Sequence, residues 1–349
     1  MQIWKMDYEE GCYSMKKHSA PTMKDVAREA GVSLGTVSKV INHKPVGDEY
    51  VRKVKAAIQK LDYHVNTYAQ GLKASKTDTV ALLIPTSIHT FYSYIISYVN
   101  KALLKRGYRM LLCCSDYDPK LEQEYINMAQ QNKVDGIIAL SYNPAPVIDP
   151  ELPFVSIDRT INEHIPVVSS DNYAGGALAA QKLKEFGCTK AAFLREGSSL
   201  DNEPNKRRAG FEYGAQKYHL DYDLCLLEDG HPKDAFYHFL KNHYHNGRLD
   251  YDGLFCVTDT LAFKIGNILK EMNIRVPEDV QIIGFDGAQH FGDRGYVCST
   301  IVQPVEDIAE MAVELLLQDQ TRMKPQLVCL PVHFAEGGTT RSGQSYHTI

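Results

Sequence analysis

The 349-residue chain lacks the marks of several large classes of protein. It has a single tryptophan, Trp4. No apolar run approaches the roughly 20 residues needed to cross a bilayer. The first stretch, MQIWKMDYEEGCYSMKKHSA, has no apolar block of the kind that forms a secretory signal. A membrane-spanning or secreted protein is therefore not expected. Cysteines stand at 12, 113, 114, 188, 225, 256, 298 and 329 without a C-x-x-C pair. That scatter speaks against a zinc ribbon or disulfide framework and for a reducing cytosol. His238, His243 and His245 lie close in sequence, but their spacing suits no helical metal pair. GGALAA at 175–180 lacks the G-x-G-x-x-G spacing of a dinucleotide loop, and neither a P-loop nor a nucleophile elbow is present. No metal or cofactor is expected, and no catalytic residues stand out.

What is present divides unevenly along the chain. The composition is 44% apolar and 23% charged, enough to bury more than one core. The net charge of −5 hides a basic segment: residues 20–77 carry ten basic and five acidic side chains. A small basic head on an acidic body suits contact with a polyanion, although a solvated charged face gives the same count.

Pattern separates the two. Thr22 precedes MKDVAREA, where Val26, Ala27 and Ala30 share a helical face and Thr22 can cap the first turn. Gly31 ends that helix. Ser33 opens a second, with Val37, Val40 and Ile41 inward, and a third runs from Asp48 to about Asp62 on Val51, Val54, Ile58 and Leu61. Two short helices joined by a Gly-containing turn, with a third beneath, predict a helix-turn-helix head over 20–65.

The run TMKDVAREAGVSLGTVSKVIN resembles the N-terminal signature of the LacI/GalR (lactose-repressor) family of bacterial transcription regulators. The resemblance implies that the second helix enters the major groove. It places Leu34, Gly35 and Lys39 at base edges and Thr36, Ser38 and Asn42 at phosphates. The chemistry of the residues agrees: Lys39 can donate to guanine O6 and N7, whereas Leu34 and Gly35 offer only apolar contact or close backbone approach. The next segment, YHVNTYAQGLKASKTD, resembles the family's hinge helix, so 66–77 is expected to be hinge and linker. That likeness puts Ala69, Leu72 and Lys73 in the minor groove, with Leu72 as the apolar wedge. Residues 1–19 match nothing in the head and are expected to be a disordered extension.

From Thr79 the pattern changes. Short apolar runs (TVALLIP, YRMLLCCS, VDGIIAL, PFVSID, KAAFLRE, GLFCVTD, VQIIGFD) alternate with helical stretches of ten to fifteen residues. Such alternation predicts doubly wound α/β lobes with parallel sheets covered on both faces, ligands binding at the carboxyl ends of strands. Cys113 and Cys114 fall in one of these strands and are expected in the core. VDGIIAL, PFVSIDR, SSDNYAGGALAAQKL, RRAGF, RVPEDVQIIGFD and STIVQP are similar to the family's effector-binding core, itself similar to periplasmic sugar-binding proteins. By that likeness 78–349 forms two lobes, one of about 78–172 plus 303–331 and the other of about 173–302 plus 332–349. The chain passes between them at a hinge.

The same likeness nominates effector residues: the pair Phe91 and Tyr92, then Asp158, Arg159, Arg207, His231, Thr258, Asp259 and Asp286. Carboxylates and a guanidinium can bind adjacent hydroxyls, and aromatic faces can cover the apolar side of a pyranose, which favours a sugar or sugar phosphate. Simpler roles are available too: Arg207 as an ion pair between lobes, Asp158 or Asp259 as a helix cap. The expectation is a dimeric repressor that binds an inverted-repeat DNA operator under control of a carbohydrate effector. The alternative is the solute-binding protein of a sugar transporter, which leaves the basic head unexplained.

Overall fold

A computed structural model of the chain describes residues 21–42, 44–63, 77–198, 202–228, 230–288, 295–318 and 326–341. The chain divides into two compact units, Met1–Ala74 and Ser75–Ile349.

In the first unit α1 spans Met23–Ala30, α2 Leu34–Ile41 and α3 Asp48–Lys60. Thr22 caps α1 as expected, and Asp25 completes the cap by accepting from the Thr22 backbone N–H at 2.9 Å. Gly31 closes the helix at φ 65°, a left-handed value that glycine adopts without a Cβ penalty. Ser33 caps α2, accepting from the Thr36 N–H at 3.1 Å. Val26, Ala27, Val37, Val40, Val54, Ala57 and Tyr63 form one small buried core, so each helix contributes the face its spacing marks.

Among the described residues, the second unit contains two six-stranded sheets. The strands of the first are β1 (Thr79–Ile84), β2 (Arg109–Cys114), β3 (Gly136–Ala139), β4 (Phe154–Ile157), β5 (Val167–Ser170) and β13 (Leu327–Leu330), in the order β13-β5-β4-β3-β1-β2 and all parallel. The strands of the second are β6 (Lys190–Glu196), β7 (Asp221–Leu227), β10 (Gly253–Cys256), β11 (Gln281–Asp286), β12 (Ser299–Val302) and β14 (His333–Ala335), in the order β14-β12-β11-β10-β6-β7. Only β14 runs antiparallel to its neighbour in that sheet. The short pair β8 (Tyr244–His245) and β9 (Arg248–Leu249) stands apart.

Helices α4 (Thr90–Lys105), α5 (Pro119–Gln131) and α10 (Val305–Leu317) pack on the first sheet. Helices α6 (Asn172–Glu185), α7 (Lys206–Lys217), α8 (Ala235–Asn242) and α9 (Asp259–Glu271) pack around the second. The chain changes lobe three times: after β5, after β12 and between β13 and β14. Strand β2 is an edge strand rather than a core strand, so Cys113 is buried but Cys114 only half-buried. No described helix is long and apolar enough to cross a membrane.

GGALAA has a packing role. A Cβ on Gly176 would stand 2.0 Å from the Arg207 carbonyl oxygen, and one on Gly210 would stand 1.9 Å from that of Tyr173. Glycine at both places lets α6 and α7 touch backbone to backbone, which fixes the start of α7 and with it Arg207.

Candidate functional site

On the head, α2 presents Leu34 at 44% exposure, with Gly35 and Lys39 also exposed, while Val37 and Val40 are inward. Thr36 and Ser38 are half-buried; the Thr36 hydroxyl lies 2.9 Å from that of Ser33. The Asn42 amide donates to the Ser38 carbonyl at 2.7 Å and so closes the helix. Ala69, Leu72 and Lys73 lie outside the described residues.

Between the lobes a cleft of about 770 Å³ lies at the carboxyl ends of the strands. Phe91, Tyr92, Asp158, Arg159, Arg207, His231, Thr258 and Asp286 line it. These residues come from both lobes, from segments far apart in the chain.

Two buried carboxylates define the floor. Asp158 follows β4 at φ 63° and Asp286 ends β11 at φ 119°, both in the left-handed region that non-glycine residues seldom occupy. Asp158 accepts from the Ser169 hydroxyl at 2.7 Å, and burial pushes its carboxyl up to about 6. Asp286 accepts from the Gln303 amide at 2.8 Å; burial raises it too, against the pull of the Arg207 charge.

Arg207, 3% exposed, interacts electrostatically with both, most strongly with Asp286. Its Nε donates to Asn172 at 2.7 Å and its Nη1 to the Val257 carbonyl at 2.6 Å, with Asp286 3.6 Å away. The guanidinium lies over the Phe285 ring, 3.6 Å from the centroid. Its ion partner Asp286 belongs to the same lobe, so the pair does not bridge lobes.

A continuous set of bonds runs from this floor into the inter-lobe crossings. Asn172 donates to the Ser169 hydroxyl at 3.0 Å and to the Ser170 carbonyl at 2.9 Å. The Ser170 hydroxyl donates to Gln303 at 2.8 Å, and Gln303 returns to Asp286. Asn172 and Ser170 flank the first crossing and Gln303 lies in the second.

Another part of the lining is aromatic. Phe91 and Tyr92 are 4% and 7% exposed, and the Tyr92 hydroxyl lies 3.1 Å from that of Tyr142. Tyr117 meets the Tyr142 ring edge-on. Burial raises both the Tyr92 and Tyr142 phenols, the latter to about 12, so both stay neutral donors.

The remaining nominated residues differ in what they have left to offer. Arg159 lines the cleft, but its guanidinium is turned onto the carbonyls of Ser141, Asn143 and Pro144. His231 bonds Glu196 at 3.0 Å and the Pro232 carbonyl at 2.8 Å. The Thr258 hydroxyl caps α9 by accepting from the Leu261 N–H at 3.1 Å. Asp259 is not on the cleft wall. Its carboxylate is spent on the Thr300 hydroxyl at 2.6 Å and the Ala288 N–H at 2.9 Å, and burial raises it. It braces the loop after β11, and the cap of α9 is Thr258 instead.

Several lining residues escaped the sequence reading: His89, Tyr117, Tyr142, Glu196 and Gln303. Tyr142 and Glu196 lie at or just past the ends of apolar runs, where the strand-end rule could have found them. Gln303 lies within STIVQP. His89 and Tyr117 carry no pattern signal. Of the clustered histidines, His238 pairs with Asp234, His243 with the Phe239 carbonyl and His245 with Asp250.

Two family models match the chain: bacterial regulatory proteins, lacI family, over residues 22–66, and periplasmic binding protein-like domain over 180–340. A sucrose operon repressor of Streptococcus mutans is 34% identical over 322 residues, covering 90% of this chain and 97% of that protein. Among solved structures, a periplasmic binding protein/LacI transcriptional regulator from Alkaliphilus metalliredigens, complexed with D-xylulofuranose, is 27% identical. Its TM-score is 0.63, covering 76% of this chain and 99% of that one. The lac repressor dimer bound to operator and the anti-inducer ONPF shares the fold at a TM-score of 0.74 and 20% identity, over 92% of this chain and 99% of that one.

Proposed function

Because the chain belongs to the LacI family of bacterial regulatory proteins, we propose that it is an operator-binding repressor whose DNA affinity is set by a sugar held between Asp158, Arg207 and Asp286. One observation carries the ligand half of this reading. Two buried carboxylates, each set on strained backbone, share the cleft with the buried Arg207 guanidinium and with the rings of Phe91, Tyr92, Tyr117 and Tyr142. That combination satisfies hydroxyls on one side and the apolar face of a sugar ring on the other.

On the DNA side, Lys39 reads a base edge with Leu34 and Gly35 against it, while Thr36, Ser38 and Asn42 hold phosphate. Ala69, Leu72 and Lys73 take the minor groove. Two chains act as a homodimer on an inverted repeat, because one reading helix per chain serves one half-site. The protein works in the compartment that holds the DNA and acts as a regulator rather than an enzyme.

The periplasmic-binding-protein-like core alone would suit a transporter's solute-binding protein. The head, with its exposed Leu34, Gly35 and Lys39, has no part in that role. The test is a gel shift on the DNA upstream of the chain's own gene, with and without a panel of sugars. A specific shift that a sugar changes supports the reading. Binding that ignores DNA sequence, or that no sugar alters, counts against it.

A further inference from the structure

The charges of the cleft discriminate between the two kinds of ligand a sugar-binding site could take. A free sugar brings hydroxyls, each both donor and acceptor. A sugar phosphate brings, in addition, a group of charge about −1.5 to −2 that only accepts. It needs cations with donors to spare.

The cleft has few. Its charged lining is Asp158, Glu196 and Asp286 against Arg159, Arg195 and Arg207. Arg159 is held by three carbonyls, Arg195 donates to the Ser198 carbonyl, and Arg207 spends Nε and Nη1 on Asn172 and Val257. Lys264, nearby, is paired with Glu196 at 2.7 Å, and His231 bonds the same carboxylate. At the floor itself, two carboxylates face one guanidinium. A phosphate there would place a third anion beside the buried carboxylates of Asp158 and Asp286, where unpaired charge is costly.

Two residues of the lining keep a buried nitrogen without a hydrogen-bond partner among the described residues, Arg159 at Nε and His89 at Nδ1, and the Arg159 nitrogen is closed to solvent. His89 lines the cleft, its ring centroid 4.8 Å from that of Tyr92. Its Nδ1 is closed to solvent and has no hydrogen-bond partner among the described residues. With Nδ1 closed to solvent, Nε2 is the ring nitrogen left to meet a ligand. Burial, and then the Arg207 charge, lower the affinity of this imidazole for a second proton, so it stays neutral. A neutral imidazole matches a hydroxyl in either tautomer, because the hydroxyl can donate or accept. It gives a phosphate no countercharge.

We propose that the cleft selects an uncharged polyol and rejects its phosphate esters, with His89 reading one hydroxyl of that ligand. This rests on the sugar reading above. The experiment is calorimetry on the full-length chain at pH 7.5 with sucrose, fructose, glucose, ribose and D-xylulose, and with the monophosphate ester of each.

The expected result is that at least one free sugar binds and that its ester binds at least about tenfold more weakly. An ester that binds as tightly as its parent overturns the proposal and leaves the sugar reading standing. A panel in which neither kind binds overturns both. Asp158→Asn removes one of the facing anions while keeping an acceptor. It is expected to narrow the gap between sugar and ester, a change that mere loosening of the site would not produce; an unchanged ratio counts against the charge argument. His89→Phe keeps the stacking on Tyr92 and should weaken the free sugar by about tenfold, with His89→Asn in between. Unchanged affinity in His89→Phe removes His89 from the site.

Discussion

Asp158 leaves its strand at φ 63° with its carboxyl buried and raised to about 6 from an ordinary 3.8. The folded chain thus holds that proton more tightly than the unfolded chain. The contribution of this group to stability is greatest below about pH 4 and is lost as pH rises through 6. Asp158→Asn cannot ionise, keeps an acceptor for Ser169 and tolerates the left-handed backbone. Without ligand, the melting temperature of Asp158→Asn relative to the native chain is expected to be higher at pH 8 than at pH 5. The linked free energy reaches at most about 3 kcal/mol. A difference that does not change across this range would mean that Asp158 is already ionised without penalty. At the DNA side the same single-residue logic applies to Lys39. If it donates to a guanine, Lys39→Ala should relax discrimination at one base pair per half-site by about 1–3 kcal/mol. A panel of operators substituted one pair at a time measures this, and equal losses on every sequence would make Lys39 a phosphate contact.

Among the elements, the crossings between the lobes join the proposed ligand site to the rest of the core. Gln303 accepts from Ser170 at one crossing and donates to Asp286 at the ligand floor. Gln303→Leu keeps the bulk and leaves both partners buried without it, at a cost of about 1–3 kcal/mol for each unsatisfied group. Urea unfolding of the full chain should show that loss, and sugar affinity should fall with it. Unchanged stability would show that water or a rearranged side chain replaces the amide. The helices of the head and the strand-and-helix alternation of the body were legible, because each buries one face and spacing records that face. The order of strands within each sheet was not, because it depends on contacts between runs far apart in the chain. The same limit governs the site. Arg207 and Asp286 stand in recognisable motifs, whereas His89 and Tyr117 meet the cleft only through loops whose path the sheet order sets. Asp259 misled for the same reason: it follows a strand end like its neighbours, yet Thr300, 41 residues away, takes its carboxylate.

At the scale of the whole molecule, the function proposed for it links two equilibria, sugar in the core and operator on the head. Phosphate contacts release counterions, so operator affinity should fall linearly on a log–log plot against salt, with a slope set by the number of phosphates neutralised. A sugar can act on that affinity in two ways. It can lower the fraction of chains competent to bind DNA, or it can remove individual phosphate contacts from the complex. In the first case the apparent dissociation constant is the intrinsic one divided by the competent fraction, whatever the salt. The plots with and without sugar are then parallel. In the second case fewer counterions are released and the slope falls. The residues proposed to hold the sugar belong to the second compact unit and those proposed to hold phosphate belong to the first. Parallel lines are therefore expected. Linkage adds an independent check, since operator DNA must change sugar affinity by the same factor by which sugar changes operator affinity. Titrating the sugar into the protein–operator complex and into free protein, at one salt concentration, measures that factor from the other side. Parallel plots with equal factors support a population shift. A sugar-dependent slope would mean that the ligand dismantles DNA contacts one by one.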